Sequence, residues 1–465
     1  MSNKTIAAIA TSLGNSGISI IRVSGDDAED IVDKISVFSS EKSISKLGDH
    51  TINYGHIMYK GEILDEVMIS VMRAPNSYTG ENVVEINTHG GMYVTKRVLS
   101  ALIDSGAMLA EPGEFSKRAF LNGKMDLSKA EAVMDVICSD NELALKSGIS
   151  QLSGRLAGVI RELREDLIGD IAYIEAALDD PEHIELNDFT EKLKDKMNYV
   201  EDRLSSLSDS ASKGKIIRDG IGTVILGKPN AGKSSLMNVL LGTDRAIVTD
   251  IAGTTRDSLE ESLILGDIKL RLIDTAGIRD TQDLVEKIGV KRSIELADTA
   301  DLILYVVDSS QPLDDNDISI IKQTVGKKML VIYNKTDLEQ VFGTDELCKL
   351  LSDFGHASSD YSIVPVSTVN ITGISDITDE IYRMYELGDI DTSNEIMLTN
   401  LRHKNAIDRA KESIDKVLDS LEKEMPEDFL TIDMMDAYSS LGEVIGESVD
   451  DDLVNNIFSR FCMGK

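Results

Sequence analysis

Thr223-Val-Ile-Leu-Gly-Lys-Pro-Asn-Ala-Gly-Lys-Ser-Ser235 is an apolar run feeding directly into the spacing G-x-x-x-x-G-K-S. The run predicts a buried strand, and Ser235-Leu-Met-Asn-Val-Leu-Leu241 after it predicts a helix. Between them, glycines let successive backbone N–H groups turn inward on a β-phosphate. Lys233 would reach the β and γ oxygens, and Ser234 would offer a hydroxyl to Mg2+. Gly227 to Ser234 therefore reads as a phosphate-binding loop, with Asn230, Ala231, Gly232, Lys233, Ser234 and Ser235 contacting nucleotide and Lys233 also counted as catalytic.

Further elements follow in chain order. Leu270-Arg-Leu-Ile-Asp-Thr-Ala-Gly277 predicts a strand ending in an acid, which would place Asp274 in the Mg2+ shell and Thr275, Ala276 and the Gly277 N–H at the γ-phosphate. Between it and the first loop, Thr249-Asp-Ile-Ala-Gly-Thr-Thr-Arg-Asp257 supplies hydroxyls that reach the metal only when the γ-phosphate is present, the logic of an order–disorder switch. Nucleotide contacts are expected there at Thr249, Asp250, Ile251, Ala252, Gly253, Thr254 and Thr255, with Ser234 and Thr255 on Mg2+.

Met329-Leu-Val-Ile-Tyr-Asn-Lys-Thr-Asp337 predicts another strand, running into N-K-x-D with Asn334, Lys335 and Asp337 at the base. A carboxylate at Asp337 can accept from both the N1–H and the 2-amino group of guanine. Adenine lacks that donor pair, and a buried carboxylate left unpaired is costly, so the site is expected to take GTP and reject ATP. Ser367-Thr-Val369, after a strand over 362–366, predicts a further base-contacting loop through Ser367.

Outward from this segment the texture changes. Residues 1–120 run in short β-rich pieces (Ser19–Val23, Thr51–Tyr54, Val67–Val71, Val83–Ile86) interrupted by one helical pattern, Met92–Ser105, and predict an α+β domain. Residues 121–215 show apolar spacings of three and four, as in Leu152–Leu178 and Phe189–Leu207, and predict helices. Residues 216–385 alternate strand and helix, and 386–465 return to helical periodicity. Helices on both sides of an α/β segment predict that the segment is inserted into a helical domain. The fold class expected is thus multidomain α/β.

Composition bounds the partners. With 48 Lys and Arg against 81 Asp and Glu, the formal net charge is −33, and a surface that acidic repels a phosphate backbone unless cations are clustered. Composition taken alone argues against nucleic acid. The 3 cysteines, Cys138, Cys348 and Cys462, are far apart, which fits a reducing compartment better than a disulfide framework. With neither a signal-peptide h-region nor an apolar stretch that could span a bilayer, the chain reads as soluble and cytoplasmic, with no membrane partner.

The nucleotide motifs resemble those of translation-factor-related GTPases, with one departure. After Asp274-Thr-Ala-Gly277, where Ras-like proteins carry a water-orienting glutamine, stands Ile278. An isoleucine cannot orient water, so another group must, and charge on the β–γ bridge must be offset some other way.

Over its whole length the chain resembles the bacterial tRNA-modifying GTPase family MnmE (TrmE). The residues carrying the resemblance are Gly17-Ile-Ser-Ile-Ile-Arg-Val-Ser-Gly25, Ser77-Tyr-Thr-Gly-Glu-Asn-Val-Val-Glu85, Glu111-Pro-Gly-Glu-Phe-Ser-Lys-Arg-Ala-Phe-Leu-Asn-Gly-Lys124 and Phe461-Cys-Met-Gly-Lys465. Met463 departs from the family's usual isoleucine, a volume-similar swap.

The resemblance implies an N-terminal α+β tetrahydrofolate-binding domain, a helical domain and an inserted Ras-like P-loop GTPase domain. It implies a homodimer that works with the flavin-dependent protein MnmG (GidA), as a heterotetramer or larger assembly, on the wobble uridine of certain tRNAs. The product would carry a C5 aminomethyl-type group such as carboxymethylaminomethyl, its carbon taken from 5-formyltetrahydrofolate or methylenetetrahydrofolate. Matched residue by residue, the family's folate contacts fall on Arg22, Glu81, Lys124 and Lys465.

By the same resemblance Glu286 orients the attacking water, and K+ is held by Asn230 with Thr249, Ile251 and Thr254. Oxygen donors of that kind suit a hard cation. Cys462 stands fourth from the end, but Lys465 as last residue does not fit a prenylation box. It reads either as a buried thiol or as a catalytic nucleophile. The rival functional reading is a regulatory GTPase switch that binds ribosomes or protein partners and performs no one-carbon chemistry.

Overall fold

A computed structural model of the chain describes residues 4–38, 43–180, 189–242, 261–273, 297–387, 396–447 and 449–465. It divides into two compact units: Met1–Ile137, Gln151–Asp202 and Ala406–Lys465 form one, and Cys138–Ser150 with Arg203–Asn405 form the other.

The first unit opens with β1 (Ile6–Ile9), β2 (Ile18–Ser24), α1 (Ala28–Asp33), β3 (Ser36–Val37), β4 (Thr51–Tyr59), β5 (Glu62–Met72), β6 (Val83–His89), α2 (Met92–Asp104), β7 (Met108–Leu109) and α3 (Glu114–Leu121). The strands make one seven-stranded sheet in the order β3-β4-β5-β6-β2-β1-β7, antiparallel except where β7 joins β1. Alternate residues such as Ile21, Val23, Ile69, Val71, Val84 and Ile86 form one buried core with Val98, Ala101 and Leu102 of α2 and Ile31 and Val32 of α1. That is the period-2 burial of a sheet covered by helices.

The β4–β5 hairpin is longer than the expected strands because Gly55 lies inside β4 and does not end it. A Cβ there would stand 3.0 Å from the Val37 carbonyl oxygen, so the glycine admits β3 and the Phe38 ring. α1 was not expected at all: six residues are too few to show a helical period.

Helices follow as α4 (Leu127–Cys138), α5 (Glu142–Leu152), α6 (Arg155–Asp179) and α7 (Phe189–Asp219). α6 starts three residues later than the apolar pattern suggests, since Gly154 takes φ +84 before it. α7 outruns its expected end and stops at Gly220, φ +80, where a Cβ would meet the Lys269 carbonyl oxygen at 2.7 Å.

The second unit holds β8 (Ile221–Leu226), α8 (Lys233–Gly242), β9 (Glu261–Leu265), β10 (Ile268–Leu272), β11 (Leu302–Asp308), α9 (Asp315–Gln323), β12 (Met329–Asn334), α10 (Thr344–Asp353), β13 (Tyr361–Pro365) and α11 (Ile374–Met384). Its six-stranded sheet runs β13-β12-β11-β8-β10-β9 and is parallel apart from the edge strand β9. Along β11, Leu302, Leu304 and Val306 enter one core and Ile303, Tyr305 and Val307 the other. Burial on both faces explains why β8, β11 and β12 are largely apolar, Thr223 of β8 and the terminal Asp308 and Asn334 apart. Because the strands are parallel, the residues after β8, β12 and β13 all emerge at one carboxyl edge, where open α/β sheets bind ligands.

The chain closes with α12 (Leu401–Glu422), α13 (Glu427–Ile445) and α14 (Asp451–Ser459). α13 packs along α6, where Arg164 lies 4.1 Å from the Tyr438 ring centre and pairs with Glu447. Among the described residues no helix is long and apolar enough to cross a membrane.

Candidate functional site

The residues expected to form the phosphate loop sit where β8 ends. Gly227 takes φ +150, and a Cβ on it would lie 2.4 Å from the Val306 carbonyl oxygen, so only glycine lets the loop pass β11 this closely. Asn230 is exposed and held in the left-handed region at φ +63. Lys233 arches back over the loop, its Nζ donating to the carbonyl oxygens of Gly227 and Lys228, both at 2.8 Å. Ser234 and Ser235 are exposed on the first turn of α8, where helix N–H groups favour an anion.

The residues expected at the base lie against the same loop. Asn334 is fully buried, and its Nδ2 donates to the Ala231 carbonyl oxygen at 2.9 Å. A Cβ on Gly232, φ +105, would meet that Nδ2 at 2.2 Å. Asn334 Oδ1 is buried and finds no hydrogen-bond partner among the described residues, a condition native proteins keep mainly for groups that a ligand or water completes.

Lys335 turns the chain at φ +65 and places its Nζ 2.6 Å from Asp308 Oδ2. Burial acts to raise the Asp308 carboxyl, but the Lys335 ammonium and two hydrogen bonds from Ser310 outweigh it and hold the carboxyl below its ordinary value.

Asp337 is exposed and accepts from Ser367 Oγ at 2.6 Å. Ser367 itself is buried, is bridged to Thr372 by two backbone hydrogen bonds, and accepts from the Asn370 N–H. Its hydroxyl therefore orients the carboxylate. Val369 and Ile371 stand 76% and 63% exposed on the loop so closed, two apolar side chains beside Asp337 and Ser367. Two apolar residues inside an otherwise polar turn were the available signal for it.

Thr249, Asp250, Ile251, Ala252, Gly253, Thr254, Thr255, Asp274, Thr275, Ala276, Gly277 and Glu286 lie outside the described residues, as does Ile278.

The four expected folate contacts gather round one loop, 75–81. Arg22 on β2 donates through Nε to Glu85 at 2.8 Å and through Nη1 to the Gly464 carbonyl oxygen at 3.2 Å, and its guanidinium lies 5.1 Å from the centre of the Tyr78 ring. Lys465 Nζ lies 5.8 Å from the same ring centre. Burial, and then the like charge of Arg22, hold the Lys465 ammonium below the ordinary lysine value. Glu81 accepts from Ser24 Oγ at 2.7 Å and from Arg118 Nη1 at 3.1 Å, and Lys124 Nζ donates to the Pro75 carbonyl oxygen at 2.9 Å. Tyr78, Ser24 and Arg118 are the members the sequence alone does not single out. Arg118 carried only a weak signal, its position four after Glu114, with which it also pairs.

The carboxyl-terminal tail is built into this cluster. Gly464 takes φ +90, a Cβ on it would stand 2.4 Å from the Ile9 carbonyl oxygen, and the Lys465 carbonyl accepts from the Phe115 N–H. Phe461 is buried and Cys462 exposed, which removes the buried-thiol reading: the apolar contact falls to the residue before it.

Two family descriptions match the chain, the TrmE N-terminus of GTP-binding proteins over residues 5–124 and the MnmE helical domain over 127–462. A tRNA modification GTPase MnmE from Lachnoclostridium phytofermentans is 52% identical, covering 100% of both chains. Proteins of the same description from Ligilactobacillus salivarius and Alkaliphilus oremlandii are 45% and 44% identical, each over 99% of this chain and 98% and 99% of their own.

Proposed function

This chain belongs to the MnmE family of tRNA modification GTPases, and from that premise we propose that it couples GTP hydrolysis to a C5 aminomethyl-type modification of the wobble uridine. The carbon comes from a tetrahydrofolate derivative, and a flavin-dependent MnmG-type partner supplies the redox chemistry. The chain acts as a homodimer in the cytoplasm.

The observation that carries the folate reading is the convergence of Arg22 and Lys465 on Tyr78, with Glu81 in the same 75–81 loop and Lys124 bonded to its Pro75 carbonyl. Two cations sharing one ring suit the anionic tail of a folate, whose charge would relieve their mutual repulsion. Glu81, aimed by Arg118 and Ser24, presents a carboxylate to the N–H pair of a pterin ring.

In the hydrolytic site Lys233 binds the β and γ oxygens, and Asn334 and Asp337 read guanine, with Ser367 fixing the Asp337 carboxylate. The exposed Ser234 hydroxyl and Asn230 amide are hard oxygen donors that fit Mg2+ and K+ respectively. Thr255 would join Ser234, and Thr249, Ile251 and Thr254 would join Asn230. When bound, the cations supply positive charge across the β–γ bridge. Glu286 orients the attacking water in place of the absent glutamine.

Equilibrium binding of 5-formyltetrahydrofolate to the full-length protein tests this. Saturable binding that weakens by about tenfold or more in Arg22→Ala is expected, as for loss of a charge-assisted contact. A wild-type protein that hydrolyses GTP but binds no folate would overturn the reading in favour of a GTPase switch.

A further inference from the structure

Lys228, the second residue of the phosphate loop, points away from the site that the loop encloses. Its Nζ lies 2.7 Å from Asp317 Oδ2 and 3.3 Å from Asp314 Oδ2, and donates to the Pro312 carbonyl oxygen at 3.3 Å. Asp317, on the first turn of α9, is fully buried. Its carboxylate is nevertheless satisfied: Oδ1 accepts from the Tyr305 hydroxyl at 2.8 Å, and Oδ2 accepts from the Asp314 N–H as well as from Lys228. Burial acts to lower the Lys228 ammonium, but the two carboxylates outweigh it and raise the group above the ordinary lysine value.

The backbone of the same residue faces the chemistry. The Lys228 carbonyl oxygen accepts from Lys233 Nζ at 2.8 Å and from the Ala231 N–H at 3.3 Å. One residue thus links a buried carboxylate, through its side chain, to the phosphate-binding lysine, through its carbonyl. The connection that supplies Asp317 also reaches the base loop, where Lys335 Nζ meets Asp308 and the Ser309 N–H donates to the Asn334 carbonyl oxygen at 3.0 Å.

We propose that Lys228 and Asp317 are a positioning pair for GTP binding, through which the segment from Asp308 to Asp317 fixes the phosphate loop at its working distance from the guanine-reading loop. Neither residue touches nucleotide. Lys228 acts through its own carbonyl on Lys233, and Asp317 acts through Lys228. The pair rests on the assignment of Gly227 to Ser234 as the phosphate loop.

The test compares full-length wild type with Lys228→Met, Lys228→Arg, Asp317→Asn and the double variant Lys228→Met/Asp317→Asn. Steady-state GTP hydrolysis and binding of a fluorescent GDP analogue are read beside far-ultraviolet circular dichroism. Lys228→Met and Asp317→Asn should each raise KM and weaken GDP binding by about tenfold or more while remaining folded, and Lys228→Arg should stay within about threefold of wild type, because it keeps the charge. The double variant should lose no more than Lys228→Met does, since both changes cut one link. Asp317→Asn keeps the shape of the carboxylate, and it decides the matter if Lys228→Met fails to fold. Wild-type KM in the single variants, an Arg variant as impaired as the Met variant, or additive losses would each overturn the pair. A wild-type protein that binds no GDP would instead sink the phosphate-loop assignment.

Discussion

Asn334 Nδ2 donates to the Ala231 carbonyl oxygen at 2.9 Å, so the residue that opens N-K-x-D is bonded to the centre of the G-x-x-x-x-G-K-S loop. The contact passes over Gly232, whose missing side chain makes room for the amide. Gly232→Ala is expected to abolish measurable binding of a fluorescent GTP analogue, since a Cβ 2.2 Å from Asn334 Nδ2 and a φ of +105 both oppose it. Binding within threefold of wild type would show that the two loops can separate without loss.

Asp337→Asn should exchange one acceptor of the carboxylate pair for a donor and shift preference from GTP to xanthosine triphosphate, by about 10²-fold or more in relative kcat/KM. Ser367 Oγ holds one carboxylate oxygen at 2.6 Å, and as the serine hydroxyl can also accept, the asparagine should keep its orientation. Nucleotide competition reads the outcome. An unchanged GTP preference removes Asp337 from the base site.

GTP turnover should rise when K+ replaces Na+ at constant ionic strength, and Asn230→Ala should lose that response. Glu286→Ala should lower kcat by about 10²-fold with GTP affinity nearly intact, because orienting water acts in the transition state. In the double variant the losses should be strongly non-additive if both groups serve one assembly. Equal rates in the two salts, or additive losses, count against it.

Gly464→Ala tests how the tail presents Lys465. The φ of +90 and a Cβ 2.4 Å from the Ile9 carbonyl oxygen require the tail to move, at a cost of about 1–3 kcal/mol for strain of this kind. Weaker binding of 5-formyltetrahydrofolate is expected, by about tenfold, with GTP hydrolysis unchanged. Intact folate binding would mean that the ammonium of Lys465 is dispensable.

Within the parallel sheet β8 and β12 were legible because they are buried on both faces, so their sequences are largely apolar runs with motif residues following them. The N-terminal sheet was only half legible. Gly55 looked like a break and is a packing device, and α1 is too short to show a period.

At the sites, Lys233 and Asn334 could be singled out from sequence by fixed spacing, whereas Arg118, Tyr78 and Asp317 stand out only through contacts to other segments, such as Arg118 with Glu81 and Asp317 with Tyr305. In a chain with 81 acidic residues a carboxylate such as Asp317 looks like solvated surface until its burial is seen. Net charge misled in the same way. It argued against nucleic acid, yet the chain belongs to a family that modifies tRNA. A sum over the whole surface carries no information about local arrangement.

The most direct measurement is mass spectrometry of wobble-uridine nucleosides in tRNA from a strain lacking its own copy of this gene, complemented with wild type or with Lys233→Ala. The expected result is that wild type restores the C5 aminomethyl-type nucleoside and Lys233→Ala leaves it at the level of the deletion. Restoration by Lys233→Ala would separate the modification from GTP hydrolysis. Wild-type complementation indistinguishable from the deletion would contradict a role in the modification itself.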